Sequence, residues 1–352
     1  MKVLHIESGL GNQMLSYCEY LALKKVNPDD DFYLETIIYD IPECNELICQ
    51  WNGYELERIF GIKTPQNISA CYSHDEWDAI MKEIRETEFW IHNWNYPRAF
   101  PEVMKKHGLT LVSLHKDHDP NNCIIGTGYQ QKATWKDRLK ASKIWVTTKR
   151  FYKILREDKY IKKSSKQEIL FLKSAKNLYT GHWLSFKYRG NDRELIDEEI
   201  REVFKFPVFK DTRNMEMSSM LMSCNSVAIH ARRGDMANGL AWCYKYGYFQ
   251  RAVKLIRKNV KNPVFVFFTD PGSIDWCKNH EKTFGLNLKK DRVFFIDWNK
   301  GEESFRDMQL MACCKHAIIT TSTFGWWGAY FIQNPNKITI SPSIEIDTTH
   351  HC

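Results

Sequence analysis

The sequence predicts an α/β protein built from two Rossmann-like domains, and three observations carry that prediction. At 352 residues the chain exceeds what one hydrophobic core usually holds. It opens on a short apolar strand, a glycine turn and a helical pattern. From Asn225 onward apolar strands alternate with helical segments, and several strands end in polar residues.

Val3-Leu4-His5-Ile6 is the first strand, and Ser8-Gly9-Leu10-Gly11-Asn12-Gln13 is the turn after it. A helical pattern follows from Met14 to about Lys25, with Leu15, Cys18, Leu21 and Ala22 at helical spacing. Strand, glycine turn and helix form the opening of a Rossmann-like unit. Residues 40–130 hold aromatic-rich segments and turns, read only as mixed α/β. Residues 132–176 read as basic helices with Trp135, Leu139 and Val146 roughly on one face.

The pattern then sharpens. Ser226–Ile229 is a strand ending in His230-Ala231-Arg232-Arg233-Gly234-Asp235, and Tyr248–Val260 is an amphipathic helix. Val264–Phe268 is a fully apolar strand ending at Thr269-Asp270-Pro271. Arg292–Ile296 is a strand, Glu303–Lys315 a helix, and Ala317–Thr320 a strand running into Thr321-Ser322-Thr323-Phe324-Gly325. Ile338–Ile340 closes a parallel sheet covered on both faces. The boundary is placed near 210–225, giving an N-terminal domain over 1–215 and a C-terminal domain over 216–352.

Composition narrows the function classes. With 43% hydrophobic and 26% charged residues, 17 Gly and 11 Pro, the chain is neither low-complexity nor collagen-like. The net charge of +7 is uneven: residues 132–190 carry 17 Lys/Arg against 4 Asp/Glu, and the remainder is net negative. A uniformly basic nucleic-acid binder would not look like that. Eleven cysteines without C-x₂-C spacing read as buried thiols of a reducing compartment, not as zinc ligands. No run reaches the ~18 apolar residues of a membrane span. Glu7 and the glycines come too early for a signal peptide, so the expectation is a cytoplasmic protein.

Ligands of open α/β sheets sit outside the carboxyl ends of the strands. Those ends carry His230, Arg232, Arg233 and Asp235, then Thr269 and Asp270, then Thr321, Ser322 and Thr323. Alone, Arg-Arg-Gly-Asp reads as a surface turn with an internal ion pair. Three polar strand ends in one domain point instead to a phosphate or diphosphate site. Arginine gives fixed bidentate donors, and hydroxyls with a helix amino end give neutral ones. Asp235 or Asp270 is the candidate acceptor from a ribose or base. No G-x-x-x-x-G-K-[ST] occurs, and Gly9-x-Gly11 lacks the rest of a dinucleotide fingerprint. The acidic pairs Asp29/Asp31 and Asp117/Asp119 lie beside proline and read as solvated turns, so no metal site is expected.

Together these segments resemble the galactoside α-1,2-fucosyltransferases of glycosyltransferase family 11, especially the bacterial members. The family opens with G-G-L-G-N-Q-M, here Ser8 to Met14, and carries H-x-R-R-G-D, here His230 to Asp235. Asp297-Trp298-Asn299, the helix Arg306–His316 and Ser322–Ala329 match three further stretches, and Gly181–Ser185 is similar to G-Y-W-Q-S. Met236 stands where the family usually has an aromatic, and Gly325 where it has a serine. Thr269-Asp270-Pro271 has one carboxylate where two are usual.

The resemblance implies a GT-B-like fold, two Rossmann-like domains facing a central cleft, with GDP-fucose on the C-terminal one. Arg232 is then the group that binds the β-phosphate and stabilises departing GDP. His230 and Asp307 would help recognise guanosine, and Ser322, Thr323 and Phe324 would contact the diphosphate. Asn12 would approach the reaction centre, with Gln13, His182 and Trp183 on the acceptor side. The implied reaction is inverting transfer to the 2-hydroxyl of a terminal β-galactoside, on an oligosaccharide or lipid-linked glycan, without a cofactor or metal. No base is assigned: Asn12 cannot serve, Glu7 is nearby, and phosphate or water remain alternatives. Another GDP-sugar with the same arginine site is the alternative donor. A polyanion-binding reading built on Trp135, Trp145, Phe151 and Tyr152 leaves the strand-end motifs unexplained. The basic stretch 132–176 is read as solvated helices or as a peripheral contact with the anionic inner face of a membrane.

Overall fold

Two parallel sheets organise the chain, one in each half. The structure is a computed structural model, and it describes residues 1–47, 52–92, 95–113, 177–180, 190–234, 242–245 and 247–342, with isolated positions between 135 and 155. Of the described residues, those up to 113 and from 177 to 206 fall in one compact unit, and those from 207 to 342, with the isolated positions between 135 and 155, fall in the other. The split precedes 215 because the helix over Thr212–Ser223 packs with the C-terminal sheet through the buried Leu221.

In the N-terminal unit β1 (Lys2–His5), β2 (Phe32–Glu35), β3 (Val112–Ser113) and β4 (Leu178–Thr180) form one sheet in the order β2-β1-β4-β3, every pair parallel. All four residues of β1 are buried, as an interior parallel strand requires. Helix α1 spans Leu10–Val26 and starts earlier than the expected Met14. Asn12 and Gln13 therefore lie in its first turn, not in the preceding loop. Helix α2 (His74–Glu86) is begun by a capping box, in which Ser73 and Glu76 exchange side-chain and backbone hydrogen bonds. Helix α3 (Tyr96–Lys106) buries Tyr96, Phe100, Val103 and Met104 against Val3, Ile37, Phe89 and Tyr179.

The C-terminal unit has β5 (Ser226–Ala231), β6 (Val264–Thr269), β7 (Arg292–Phe295), β8 (His316–Ile319) and β9 (Thr339–Ile340) in the all-parallel order β7-β6-β5-β8-β9. Alternate side chains of β5 and β6 enter two separate cores. Val227, Ile229, Phe265 and Phe267 pack with helix α5 (Tyr248–Asn259), α4 being the helix Thr212–Ser223 named above. Ala228, Val264, Val266 and Phe268 pack with α4 and with α6 (Phe305–Cys313). This two-sided burial is why the strands read as continuous apolar runs. Helix α7 (Thr323–Phe331) follows β8.

Among the described residues no helix is long and apolar enough to cross a membrane, and the eight cysteines are free thiols. No group of three or more His, Cys, Asp or Glu among them is placed to hold a metal ion.

Candidate functional site

Sheet order places the three polar strand ends side by side, since β6, β5 and β8 are neighbours. Register pairs Ala231 with Thr269 and His230 with Ile319, so Arg232, Asp270 and Thr321 leave the sheet at one level, with Thr320 opposite Ala231. Arg232 Nε lies 3.4 Å from Asp270 Oδ1, and a quarter of the Arg232 side chain remains exposed. The other Asp270 oxygen accepts from Gly234 N–H at 2.8 Å and from Arg233 N–H. Burial pushes the Asp270 carboxyl up. Arg232 and the two backbone donors outweigh it and hold the group below the ordinary carboxylate range. Asp270 thus braces the arginine and its loop, and the Tyr244 hydroxyl donates to the Arg232 carbonyl at 2.9 Å.

His230 is buried beneath this loop, its Nδ1 3.2 Å from Thr320 Oγ1. Desolvation lowers its pKa to about 4 against the pull of Asp270, with Arg232 adding to the fall. It is a neutral imidazole at physiological pH. Its ring stacks 5.9 Å from Phe324, and a Cβ on Gly325 would stand 2.5 Å from its Nδ1. Glycine at 325 is thereby explained: the ring occupies the place of a side chain.

Ser322 and Thr323 are nearly buried at the start of α7, where backbone N–H groups and the positive helix end suit an anion. Arg233 points elsewhere. Its guanidinium lies 3.6 Å over the Trp276 ring, which stacks on His280 at 4.1 Å. Asp307, at the start of α6, accepts from Asn299 Nδ2 at 2.7 Å. Asn299 and Trp298 both donate to Asn214 Oδ1, at 3.2 and 2.9 Å. Burial raises the Asp307 carboxyl to about 7, Asn299 opposing and Asp297 adding to the rise.

At the carboxyl end of β1 the polar residues have the opposite sign. His5 Nδ1 lies 2.5 Å from Glu35 Oε2 on β2, and His5 Nε2 lies 3.2 Å from Glu7 Oε2. The Tyr96 and Tyr179 hydroxyls donate to Glu35 at 2.7 and 3.2 Å, as does Ile37 N–H at 2.7 Å. Desolvation would lower the His5 pKa; the two carboxylates overcome it and raise it to about 9. The buried Gln13 amide donates to the Ser8 and Gly53 carbonyls at 3.0 and 2.8 Å and accepts from Glu55 N–H at 2.9 Å. It clamps the loop. Asn12 is partly exposed one residue earlier.

Asp235, His182 and Trp183 lie outside the described residues. Thr320, Tyr244 and Trp276, which hold the arginine loop, were missed by the sequence reading, as were His5 and Glu35. None of them belongs to a short motif, and only sheet adjacency brings them to their partners.

Two parallel α/β sheets, with a braced arginine and a helix amino end at the strand ends of one of them, define an α/β protein with an anion-binding site. The chain belongs to glycosyl transferase family 11, whose sequence model matches residues 132–350. It is 31% identical over 170 residues to an α-1,2-colitosyltransferase of Escherichia coli, covering 47% of this chain and 54% of that one. It is 31% identical over 109 residues to the galactoside 2-α-L-fucosyltransferase SEC1 of Bos taurus, covering 30% and 28%. The chain thus spans about half the length, or less, of these curated relatives. The fucosyltransferase NodZ from Bradyrhizobium superposes over 93% of this chain and 91% of that chain, with a TM-score of 0.40 and 11% identity.

Proposed function

We propose that the protein transfers L-fucose from GDP-fucose to the 2-hydroxyl of a terminal β-galactoside, with inversion and without a metal. The observation that carries this reading is Arg232, held by Asp270 and by the Tyr244 clamp beside the amino end of α7. When the sugar–phosphate bond breaks, negative charge grows on the diphosphate. A fixed guanidinium and oriented N–H groups stabilise that charge without reorganising at the moment of reaction. Neutral His230 adds no competing charge beneath the arginine. In this reading Ser322, Thr323 and Phe324 contact the diphosphate, and Asp307 with Asn299 faces the guanosine. Inversion follows from a β-linked donor and an α-linked product. The cation at the phosphate then takes the place of a metal.

The test is purified full-length protein with GDP-fucose and lactose in EDTA, followed by GDP release and linkage analysis of the product. α-1,2-Fucosyllactose formed in chelator is the expected result. Loss of activity in EDTA with recovery in Mn²⁺ overturns the metal-independent mechanism. The name of the Escherichia coli relative favours one second reading, a GDP-colitose donor. A panel of GDP-fucose, GDP-colitose and GDP-mannose decides between them.

A peripheral membrane contact through 132–176 completes the proposal. Its support is the exposure of Trp135, Ile144, Trp145 and Leu155 in a strongly basic stretch. Charge reversal there should abolish binding to phosphatidylserine vesicles and leave transfer to free lactose intact.

A further inference from the structure

We propose that Trp276 is a positioning residue for the transfer: its indole holds the Arg233 side chain away from Asp270, which keeps that carboxylate for Arg232. The inference rests on the transfer reading above. Trp276 stands on the short helix Ile274–Asn279, which follows β6. The turn before that helix begins at Asp270, whose carbonyl accepts from Ser273 N–H at 3.1 Å. One segment thus supplies the acid that meets the first arginine of the loop and the ring that meets the second.

The two arginines are held by unlike partners. Arg232 Nε faces Asp270 Oδ1 at 3.4 Å, longer than the about 2.7–2.9 Å of a tight charge-assisted hydrogen bond. The other Asp270 oxygen already accepts from Arg233 N–H and Gly234 N–H. A second guanidinium arriving at Asp270 would therefore compete with Arg232 for Oδ1. Arg233 is the neighbour able to arrive, since its own backbone N–H ends on the same carboxylate. Its guanidinium makes no ion pair among the described residues and lies 3.6 Å over the Trp276 ring.

An opposite charge attracts a guanidinium more strongly than a ring quadrupole does, so the stack persists where the ring is fixed in place. Three aromatic neighbours fix it. His280 stacks on the indole at 4.1 Å, with its Nδ1 2.8 Å from the Trp276 carbonyl oxygen. The rings of Tyr244 and Phe284 meet the indole edge-on at 5.6 and 6.2 Å. Tyr244 is also the residue whose hydroxyl donates to the Arg232 carbonyl. The same aromatic group thus holds the backbone of the first arginine and the side chain of the second. The titratable groups that feel the Arg233 charge here are Tyr244 and Cys277. Burial pushes both up, Cys277 to about 11, so near neutrality neither carries a charge that would draw the guanidinium off the ring.

Trp276 itself touches no reacting atom in this reading. Its effect reaches the reaction through the aim of Arg232 at the diphosphate, where leaving-group charge grows.

The test measures kcat and KM for GDP-fucose and for lactose in the full-length protein. Trp276→Leu should lower kcat ~10- to 10²-fold, with KM for lactose unchanged and the melting temperature within a few degrees of wild type. Trp276→Phe keeps a ring face for the guanidinium and should keep most of the turnover. Trp276→Leu/Arg233→Gln should run faster than Trp276→Leu, because the competing charge is gone; a purely structural role gives no such recovery. If Trp276→Leu does not fold, Trp276→Met carries the same expectations. Wild-type kcat in Trp276→Leu, a Trp276→Phe chain as slow as Trp276→Leu, or a double variant no faster than the single overturns the assignment, while GDP release by the wild-type chain leaves the transfer reading standing. A wild-type chain that releases no GDP from GDP-fucose with lactose present sinks the transfer reading, and the role of Trp276 falls with it.

Discussion

Each half of this molecule buries one histidine near the carboxyl end of an interior parallel strand, and the two are pushed in opposite directions. His5 is raised to about 9 and His230 is lowered to about 4. Desolvation acts the same way on both, favouring the neutral ring. The neighbours decide the outcome. His5 lies between two carboxylates, whereas His230 shares one carboxylate with a guanidinium that repels its proton. One sheet end sets its imidazole between carboxylates and the other sets it beside a guanidinium, each at the end of a parallel strand. Burial sets how strongly charge matters, and the partner set decides its sign.

The largest expected effect breaks the positive end. Arg232→Ala should lower turnover by ~10²–10³ at saturating GDP-fucose while the melting temperature stays within a few degrees. Near-normal transfer by that variant would falsify the donor-site assignment.

The negative end should respond in stability. Glu35→Gln removes the buried partner of His5, and a loss of about 3–5 kcal/mol is expected in urea unfolding at pH 7. A change of less than about 1 kcal/mol would mean that the four donors around Glu35 are satisfied equally by an amide.

The pH dependence should separate the two histidines. His5 binds its proton more tightly when folded than at its ordinary 6.5, so its stabilisation is complete below about 6.5 and is lost as pH rises through about 9. His230 is held neutral when folded, so its contribution is complete above about 6.5 and is lost as pH falls toward 4. Denaturant midpoints from pH 4 to 10 should fall at both ends, and His5→Gln should flatten the alkaline fall alone.

Asp307→Asn tests the nucleotide end of the C-terminal sheet. The carboxyl, raised to about 7, destabilises the fold increasingly as pH rises from its ordinary 3.8 through 7. The amide keeps the acceptor for Asn299, so the variant should gain stability at pH 8 relative to pH 5 and lose affinity for GDP in calorimetry. A gain in stability with unchanged GDP binding would remove Asp307 from the nucleotide site.

Much of the C-terminal sheet was legible because Val264–Phe268 and Ala317–Ile319 are apolar runs buried on both faces. Residues 40–130 were not, for local reasons. Helix α3 contains Pro97 near its start and Pro101 inside, which breaks a helical reading, although Phe100, Val103 and Met104 give it a buried face. The Ser73–Glu76 capping box that begins α2 went unread among those turns. At the site, Arg232, Asp270 and Ser322 were visible as polar residues interrupting apolar periodicity. The His5–Glu35 pair joins residues on neighbouring strands 30 positions apart, and no spacing rule encodes that. Gln13 shows the converse limit: its residue type suits a substrate contact, and its amide is taken by three backbone groups.

The contact between Gly325 and His230 has a consequence for how this sequence can change. A serine here, the residue usual in the family, meets the imidazole before it meets any substrate. The ring and residue 325 must therefore adjust together: in this chain a serine at 325 displaces the His230 ring, and with it the contact to the Thr320 hydroxyl that also receives Arg232 N–H. Gly325→Ser made alone in this chain would carry that conflict into the arginine loop.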